Sequence, residues 1–443
     1  MKYVIIGGDA AGMSAAMQII RHDQQAKVTT LEKGDVYSYS QCGLPYFIGG
    51  DIESSSKLIA RSVDTFRNKY GIDARCGHEV TEVDTDQQTV KGRILKSDKP
   101  FEISYDKLLI ATGADPVFPD WPGKKLDCIF TLKTIADGEN ILKGLSKDVQ
   151  RAVIIGGGYI GLEMAEAFYN RKIGVTMIDR GSRLAKVFDP DMSELIHEEA
   201  KNKGIKVVLN EEVQGFQGDS AVKAVETNIG AYEADIVIVA AGIAPNTSFL
   251  KQTDIELGVK NGVKVNKYME TNIKNVYAAG DCALQYHRVK EAYDYIPLGT
   301  NANKMGRLAG MNMIGQRRPF AGITGTSIIK FIDLELGRSG LTEQDAEKLG
   351  LDIESVKIKS TDIAGYFPGK HPLWVKLIAE KGSKKLLGGQ FIGKQGAAKR
   401  TDVIATALYS GLTLTDIEDL DISYAPPFNS VWDPVQQAAR RFK

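Results

Sequence analysis

Two stretches of this chain follow one plan. KYVIIG runs into Gly7-Gly8-Asp9-Ala10-Ala11-Gly12, then into AAGMSAAMQIIRHD and KVTTLE. RAVIIG runs into Gly156-Gly157-Gly158-Tyr159-Ile160-Gly161, then into YIGLEMAEAFYNRK and GVTMID. An apolar strand, a glycine turn, a helix pattern and a second apolar strand make a βαβ unit, whose strands must lie parallel with a right-handed crossover. The two starts are about 150 residues apart, so one domain type is used twice. The fold class is therefore α/β, with two Rossmann-like units.

The glycines point to dinucleotides. In GxGxxG the first makes the tight turn, the second lets backbone approach a pyrophosphate, and the third lets helix and strand pack closely. The helix N-terminus then faces the phosphates, and an acid about 20 residues on takes a ribose hydroxyl. Gly156, Gly158 and Gly161 fit, with Asp179 as the acid. A structural glycine turn is the alternative. The first unit keeps Gly7, Gly8 and Gly12, with Glu32 as its acid, but Asp9 stands where the second signature glycine is expected. Its carboxylate must point away from any pyrophosphate.

Between and after these units lie SYDKLLIATGADP and ADIVIVAAGIAPN, apolar strands ending in turns, and NVYAAGDCA, which reads the same way. HEVTEVDTDQQTVKG is charged and strand-like. From about Gly325 the texture changes. TSIIKFIDLELGRSG, ESVKIKSTDIAG, PLWVKLIAE and LLGGQFIG read as antiparallel strands, followed by the helix KRTDVIATALYSGL and a proline-rich tail ending in a helix. This is a separate α+β domain.

Lys+Arg and Asp+Glu number 56 each among 443 residues. A net charge of zero favours neither nucleic acid nor a membrane surface. The N-terminus lacks the form of a signal peptide, and no window reaches about 18 uninterrupted apolar residues. The four cysteines, Cys42, Cys76, Cys128 and Cys282, form no CxxC. Neither a disulfide framework nor a metal site is expected, and a reducing cytoplasm is the natural setting.

Cys42, in SYSQCGLPY, stands alone ten residues past Glu32. A nicotinamide delivers hydride, whereas a thiol or disulfide exchanges electrons through sulfur; a flavin connects the two. FAD, NAD(P)H and one cysteine thus form a coherent set. Asp281, at an expected helix start in AAGDCA, suits a flavin ribityl hydroxyl; a plain helix N-cap is the alternative.

VIIGGDAAG, IATGADP, VIIGGGYIGLEMAE, AAGIAPN and NVYAAGDCA together resemble the flavin- and pyridine-nucleotide-dependent disulfide oxidoreductases, over almost the whole chain. SYSQCGLPY, IPLGTNANKMGRLAG, GYFPG and SYAPPFNSVWD resemble the single-cysteine branch of that family, the coenzyme A-disulfide reductases. The resemblance implies a discontinuous FAD domain at 1–115 and 245–322, an NAD(P)H domain at 116–244 and a dimerisation domain at 323–443. It further implies cofactor contacts at Lys33, Val80, Ala111, Thr112, Gly113, Gly242 and Pro297 besides the first glycine turn, with Ile160 and the lid Tyr159 at the second.

Two-cysteine members store electrons in a CxxxxC disulfide. Here position 47 is Phe47, so the oxidised partner of Cys42 comes from outside: a small-molecule thiol, an oxygen (sulfenic acid) or a sulfane sulfur (persulfide). A buried inert cysteine is the other reading. The tail has no histidine base, so the N-terminus of the helix begun by CGLPYFIGG is expected to lower the thiol pKa. The resemblance implies that Tyr366 and Tyr424 reach the Cys42 of the second subunit of a homodimer, giving shared active sites. Coenzyme A contacts are implied at Gln18, Arg21, Ser38, Arg61 and Phe66, with Tyr70 replacing a family lysine. Ala10 stands where peroxidase and oxidase relatives carry a histidine, which counts against an oxygen substrate.

The expected activity is NAD(P)H-dependent reduction of coenzyme A disulfide. A coenzyme A persulfide or polysulfide reductase ranks second, because no rhodanese-like segment follows WDPVQQAARRFK. A flavin-bearing redox sensor ranks third. Asp179 favours NADH, and Arg180 beside it could take a 2′-phosphate.

Overall fold

The computed structural model describes residues 1–145 and 148–442. Two five-stranded parallel sheets carry the repeat. In the first, Val276–Ala278, Lys107–Ile110, Lys2–Ile6, Lys27–Leu31 and Asp73–Arg75 lie side by side in that order. In the second the order is Lys206–Leu209, Gly174–Asp179, Arg151–Ile155, Ile236–Val239 and Ile129–Phe130. The central strands are near-continuous apolar runs because helices and loops cover both sheet faces: only the first residue of Lys2–Ile6 is exposed, and Ile236–Val239 is wholly buried. Each sheet is accompanied by a three-stranded antiparallel meander, His78–Ser104 and Val213–Glu233.

The chain crosses between the two sheets twice, and the crossings pair. Ala114–Pro116 runs antiparallel to Ile243–Pro245. Thr112 Oγ1 donates to the Asn246 carbonyl at 2.6 Å, and Asn246 Nδ2 returns a bond to the Thr112 carbonyl at 3.2 Å. The expected helix start at Asp281 is not found. Val276–Ala278 runs into a turn there, a hairpin of Gln285–His287 with Ala292–Asp294 intervenes, and the helix begins at Gly299. That helix, Gly299–Met313, lies against Ala10–His22, so close that a Cβ at Gly306 would stand 2.1 Å from the Ala11 carbonyl oxygen.

The remainder is a five-stranded antiparallel sheet ordered Ser327–Phe331, Leu334–Gly340, Leu386–Gly393, Pro372–Glu380 and Ile353–Thr361. The helix Ala397–Ser410 packs on it through Ala397, Ile404, Ala407 and Leu408. Its edge meets the second βαβ unit, where Phe331, Ile332, Leu334 and Leu336 join Leu162, Phe168 and Phe188 in one core. Buried Lys376 ties the same two units electrostatically, to Asp189 at 3.3 Å, Asp191 at 2.8 Å and Glu343 at 2.9 Å. Among the described residues no helix is long and apolar enough to cross a membrane.

Candidate active site

Both glycine turns are built alike. Gly7 and Gly156 have φ of 115° and 111°, and a Cβ on either would stand 2.1–2.2 Å from the carbonyl oxygen of Ala111 or Ala240. At Gly12 and Gly161 a Cβ would meet the carbonyl of the first glycine at 2.0 Å. Around Gly158, by contrast, a Cβ would meet nothing within 4 Å. The helices Ala10–His22 and Tyr159–Asn170 that follow have no side-chain cap, so the first-turn N–H groups of Ala10 and Ala11, and of Tyr159 and the exposed Ile160, stay available. Uncapped helix N-termini behind glycine turns fit the pyrophosphate of a dinucleotide.

The strand-end acids anchor each turn. Glu32 accepts from Gly8 N–H and Gly34 N–H, both at 2.7 Å. Asp179 accepts from Gly157 N–H at 2.8 Å and Gly181 N–H at 2.7 Å. Asp9 turns away from the uncapped N–H groups. Its carboxylate accepts from Tyr39 N–H at 3.1 Å and Gln41 Nε2 at 2.7 Å, and burial pushes its pKa up to about 6 against those two bonds.

Near these turns lie Ala111, whose N–H bonds Ile6, and Thr112 and Gly113 at the crossing pair, with Gly242 accepting from Val117 N–H at 2.8 Å. Lys33 directs its ammonium to Glu79 at 3.2 Å, and Val80 packs against the core of the first unit. Pro297 is half-buried just before the helix Gly299–Met313. Asp281 pairs with Lys133 at 3.4 Å, a residue just past the edge strand Ile129–Phe130 of the second sheet that the motifs did not reveal.

Cys42 is exposed, in a single 3₁₀ turn, Gln41–Gly43, that leads into the six-residue helix Leu44–Gly49. This helix packs on Tyr159–Asn170, so the sulfur is presented between the two βαβ units. The expected lowering of its pKa is not found in the polypeptide. Burial, Glu163 and Asp281 push the thiol up, and Lys133 opposes them. One short turn of helix does not outweigh two carboxylates. Glu163 itself is pushed up to about 7 by burial and by Glu166. No other thiol serves Cys42: Cys76 donates to the Asp35 carbonyl at 3.6 Å, Cys282 is fully buried against Ile110 and Ala279, and Cys128 is half-buried; all four are free.

Tyr159 turns its hydroxyl to Ser327 on the edge strand of the third sheet. Tyr366 and Tyr424 meet each other, oxygen to oxygen at 3.1 Å, on the exposed face of the C-terminal domain. Phe428, Val431 and Trp432 are exposed in the neighbouring tail. Behind the pair, Arg400 is fully buried. It donates to Asp433 at 3.0 Å, Asn429 at 2.9 Å and the Asp362 carbonyl at 2.9 Å, joining the two tyrosine-bearing loops.

The five residues implied for coenzyme A divide. Ser38 and Arg61 come together, because Ala60 N–H donates to the Ser38 carbonyl at 2.8 Å and Tyr39 bridges Ile59. Gln18 is buried and Arg21 exposed on the first helix. Phe66 is fully buried and offers no surface to a ligand. It supports Tyr70 instead, ring to ring at 6.3 Å, and Tyr70 carries Arg61 at 6.0 Å and Lys69 at 5.6 Å from its ring centre. Phe66 fills the core of the first unit, and Tyr70 packs against it, only partly buried.

Comparison with known proteins agrees with this architecture. The pyridine nucleotide-disulphide oxidoreductase model matches residues 1–306, and that family's dimerisation domain matches 326–435. A "NAD(P)H coenzyme A polysulfide/persulfide reductase" of Pyrococcus horikoshii is 39% identical over 100% of this chain and 98% of its own. A "Coenzyme A disulfide reductase" of Staphylococcus epidermidis is 32% identical over 97% of this chain and 96% of its own. The crystal structure of reduced Bacillus anthracis CoADR-RHD superposes with a TM-score of 0.96 at 33% identity, covering 99% of this chain and 79% of that one.

Proposed function

We infer the activity from one premise: this chain belongs to the pyridine nucleotide-disulphide oxidoreductase family and carries its dimerisation domain. It is a flavoprotein reductase with FAD and NAD(P)H as cofactors and a small-molecule thiol, in its oxidised form, as substrate. We propose that the first βαβ unit, 1–115 with 245–322, holds FAD and that 116–244 holds NAD(P)H. The substrate is coenzyme A disulfide, and the enzyme works as a homodimer in the reducing cytoplasm. The observation that carries this reading is Cys42, exposed between two dinucleotide-type turns with no thiol of its own chain as partner.

Bound FAD supplies the conversion of a hydride from NAD(P)H into two electrons for sulfur. The first-turn N–H groups after Gly7 and Gly156 hold the pyrophosphates, and Glu32 and Asp179 hold riboses. Asp281, fixed by Lys133, holds the ribityl chain. Tyr159 covers the nicotinamide site. The Cys42 thiolate attacks one sulfur of the incoming disulfide, forming Cys42–S–S–CoA while the other half leaves and takes a proton. Two-electron reduction of that bond returns the thiolate and releases the second coenzyme A thiol. Tyr366 and Tyr424 of a second copy donate hydrogen bonds or protons at this sulfur. Ser38, Arg61, Arg21 and Gln18 line the coenzyme A path, with Lys69 and Arg61 suited to its phosphates. Steady-state assay of Cys42→Ser tests the proposal: disulfide reduction is lost with FAD content unchanged. Full activity in that variant would refute it.

A second reading has its own support, since the Pyrococcus horikoshii relative, named for polysulfide and persulfide, is more similar than the disulfide reductase of Staphylococcus epidermidis. The same sulfur chemistry serves a coenzyme A persulfide, with sulfide leaving. Turnover ratios for the two substrates separate them.

A further inference from the structure

The two glycine turns part company at their third position. Gly158 has a φ of −82°, and a Cβ there would meet nothing within 4 Å. Asp9 takes the same place in the first turn with a φ of −112°, so its side chain costs no backbone strain. One copy of the repeat thus carries a carboxylate where its twin carries none.

That carboxylate reaches the loop bearing Cys42. Its Oδ1 accepts from Tyr39 N–H at 3.1 Å, and its Oδ2 from Gln41 Nε2 at 2.7 Å. Ser38 N–H adds a bond to the Gly8 carbonyl at 3.0 Å. Three bonds from residues 38–41 therefore end on the first glycine turn, and Gln41 is the residue before the thiol. On its other side the loop is tied through backbone, Ser40 N–H to the Leu58 carbonyl and Ala60 N–H to the Ser38 carbonyl, both at 2.8 Å. The turn Gln41–Gly43 itself has no buried residue and no side-chain cap; burial resumes at Leu44. Ser38 holds a φ of 47°, a conformation that costs a non-glycine residue and persists where the surroundings over-determine it.

We propose that Asp9 is a positioning residue for the reactive sulfur: with Gln41 it clips the Cys42 turn to the first glycine turn, and so sets the place of the thiol relative to the cofactor bound there. This rests on Cys42 being the reacting sulfur and on the first unit holding FAD. A hydrogen bond to a carboxylate is shorter and stronger than one between neutral groups, which suits a clip on an exposed turn. Placement carries weight because a shift of about 1 Å at a reacting centre costs about 100-fold in rate.

The test compares Asp9→Gly, which restores the signature residue, with Gln41→Ala, the double variant and Asp9→Asn, all FAD-loaded and near neutral pH. Each is charged with coenzyme A disulfide. Release of coenzyme A thiol from the Cys42 adduct by NAD(P)H is followed in a single turnover, beside steady-state kcat and KM. Asp9→Gly is expected to lose about tenfold in that release and in kcat, at unchanged FAD content and unchanged KM for NAD(P)H. Gln41→Ala loses less, and the double variant loses no more than Asp9→Gly, since both changes act on one clip. Asp9→Asn, whose amide oxygen still accepts, recovers most of the loss. Wild-type rates in Asp9→Gly, a loss wholly accounted for by missing FAD, or no recovery in Asp9→Asn would overturn the clip. Wild-type protein in which no adduct forms on Cys42 would instead overturn the assignment of the reacting sulfur.

Discussion

The hydroxyl oxygens of Tyr366 and Tyr424 lie 3.1 Å apart although 58 residues separate them in the chain. Both side chains are exposed, 74% and 46%, in a domain whose family match is to dimerisation. Hydrogen bonding to Tyr424 pushes the Tyr366 phenol up from its ordinary value, so it remains a proton donor at neutral pH. Two phenols joined to each other and facing outward are suited to an atom of another copy.

Subunit mixing tests that arrangement. Cys42→Ser is inactive, and Tyr366→Phe/Tyr424→Phe is slowed about 100-fold, in the range of a lost general acid. Unfolding, mixing and refolding the two recovers about a quarter of wild-type activity if sites are shared, since half the dimers are hybrid and each has one intact site. No recovery would place the tyrosines in the site of their own chain.

Arg400 holds the tyrosine loops from behind. Arg400→Met leaves Asp433 buried without its cation, which costs about 3–5 kcal/mol, Asp433 being only 2% exposed. Adding Asp433→Asn removes the orphaned charge while an amide oxygen can still accept from Val435 N–H. Thermal unfolding should show the double variant recovering much of the loss, with kcat still low because the two loops have lost their common tie. Equal losses of stability in single and double variants would argue against a charge effect.

The thiol of Cys42 is set by charges of opposite sign. Glu163 raises it and Lys133 lowers it. Alkylation of the reduced holoenzyme by iodoacetamide against pH should therefore shift to lower pH in Glu163→Gln and to higher pH in Lys133→Met. Shifts of the same sign in both would contradict this reading.

Asp9 carries a pH signature. Its folded value of about 6 exceeds the unfolded value of about 3.9. Between these limits the folded chain binds more protons, so stability falls as pH rises through the window; above it the ionised carboxylate costs at most about 3 kcal/mol. Asp9→Asn should raise the melting temperature at pH 7–8 and leave it unchanged at pH 4. The asparagine oxygen still accepts from Tyr39 N–H, and Gln41 can turn its amide. A lower melting temperature at pH 7 would contradict it.

Much of this was legible in the sequence because βαβ units and glycine turns are local. Gly12 and Gly161 meet the carbonyls of Gly7 and Gly156 within their own turns, so spacing alone announces them, although Gly7 and Gly156 in turn meet Ala111 and Ala240 from elsewhere in the chain. Cys42 was legible by subtraction, having no second thiol in reach. What escaped depends on contacts remote in the chain. Lys133 meets Asp281 across 148 residues, and Arg400 meets Asp433 across 33. Arg400 did leave one signal: it shares a helical stripe with the buried Ala397, Thr401, Ile404 and Ala407, where a charge demands a partner. Phe66 is fully buried here, which a position carried over by resemblance does not announce. The Asp281 turn was mistaken for a helix start because an acid after a strand suits both.

One measurement reaches the central claim directly: peptide mass mapping of the protein purified without reductant, before and after NAD(P)H. The account predicts a mass on the Cys42 peptide equal to coenzyme A in disulfide linkage, released by NAD(P)H with one coenzyme A thiol appearing per adduct lost. Cys42 joined to Cys76, or disulfide turnover that survives Cys42→Ser substitution, would contradict it.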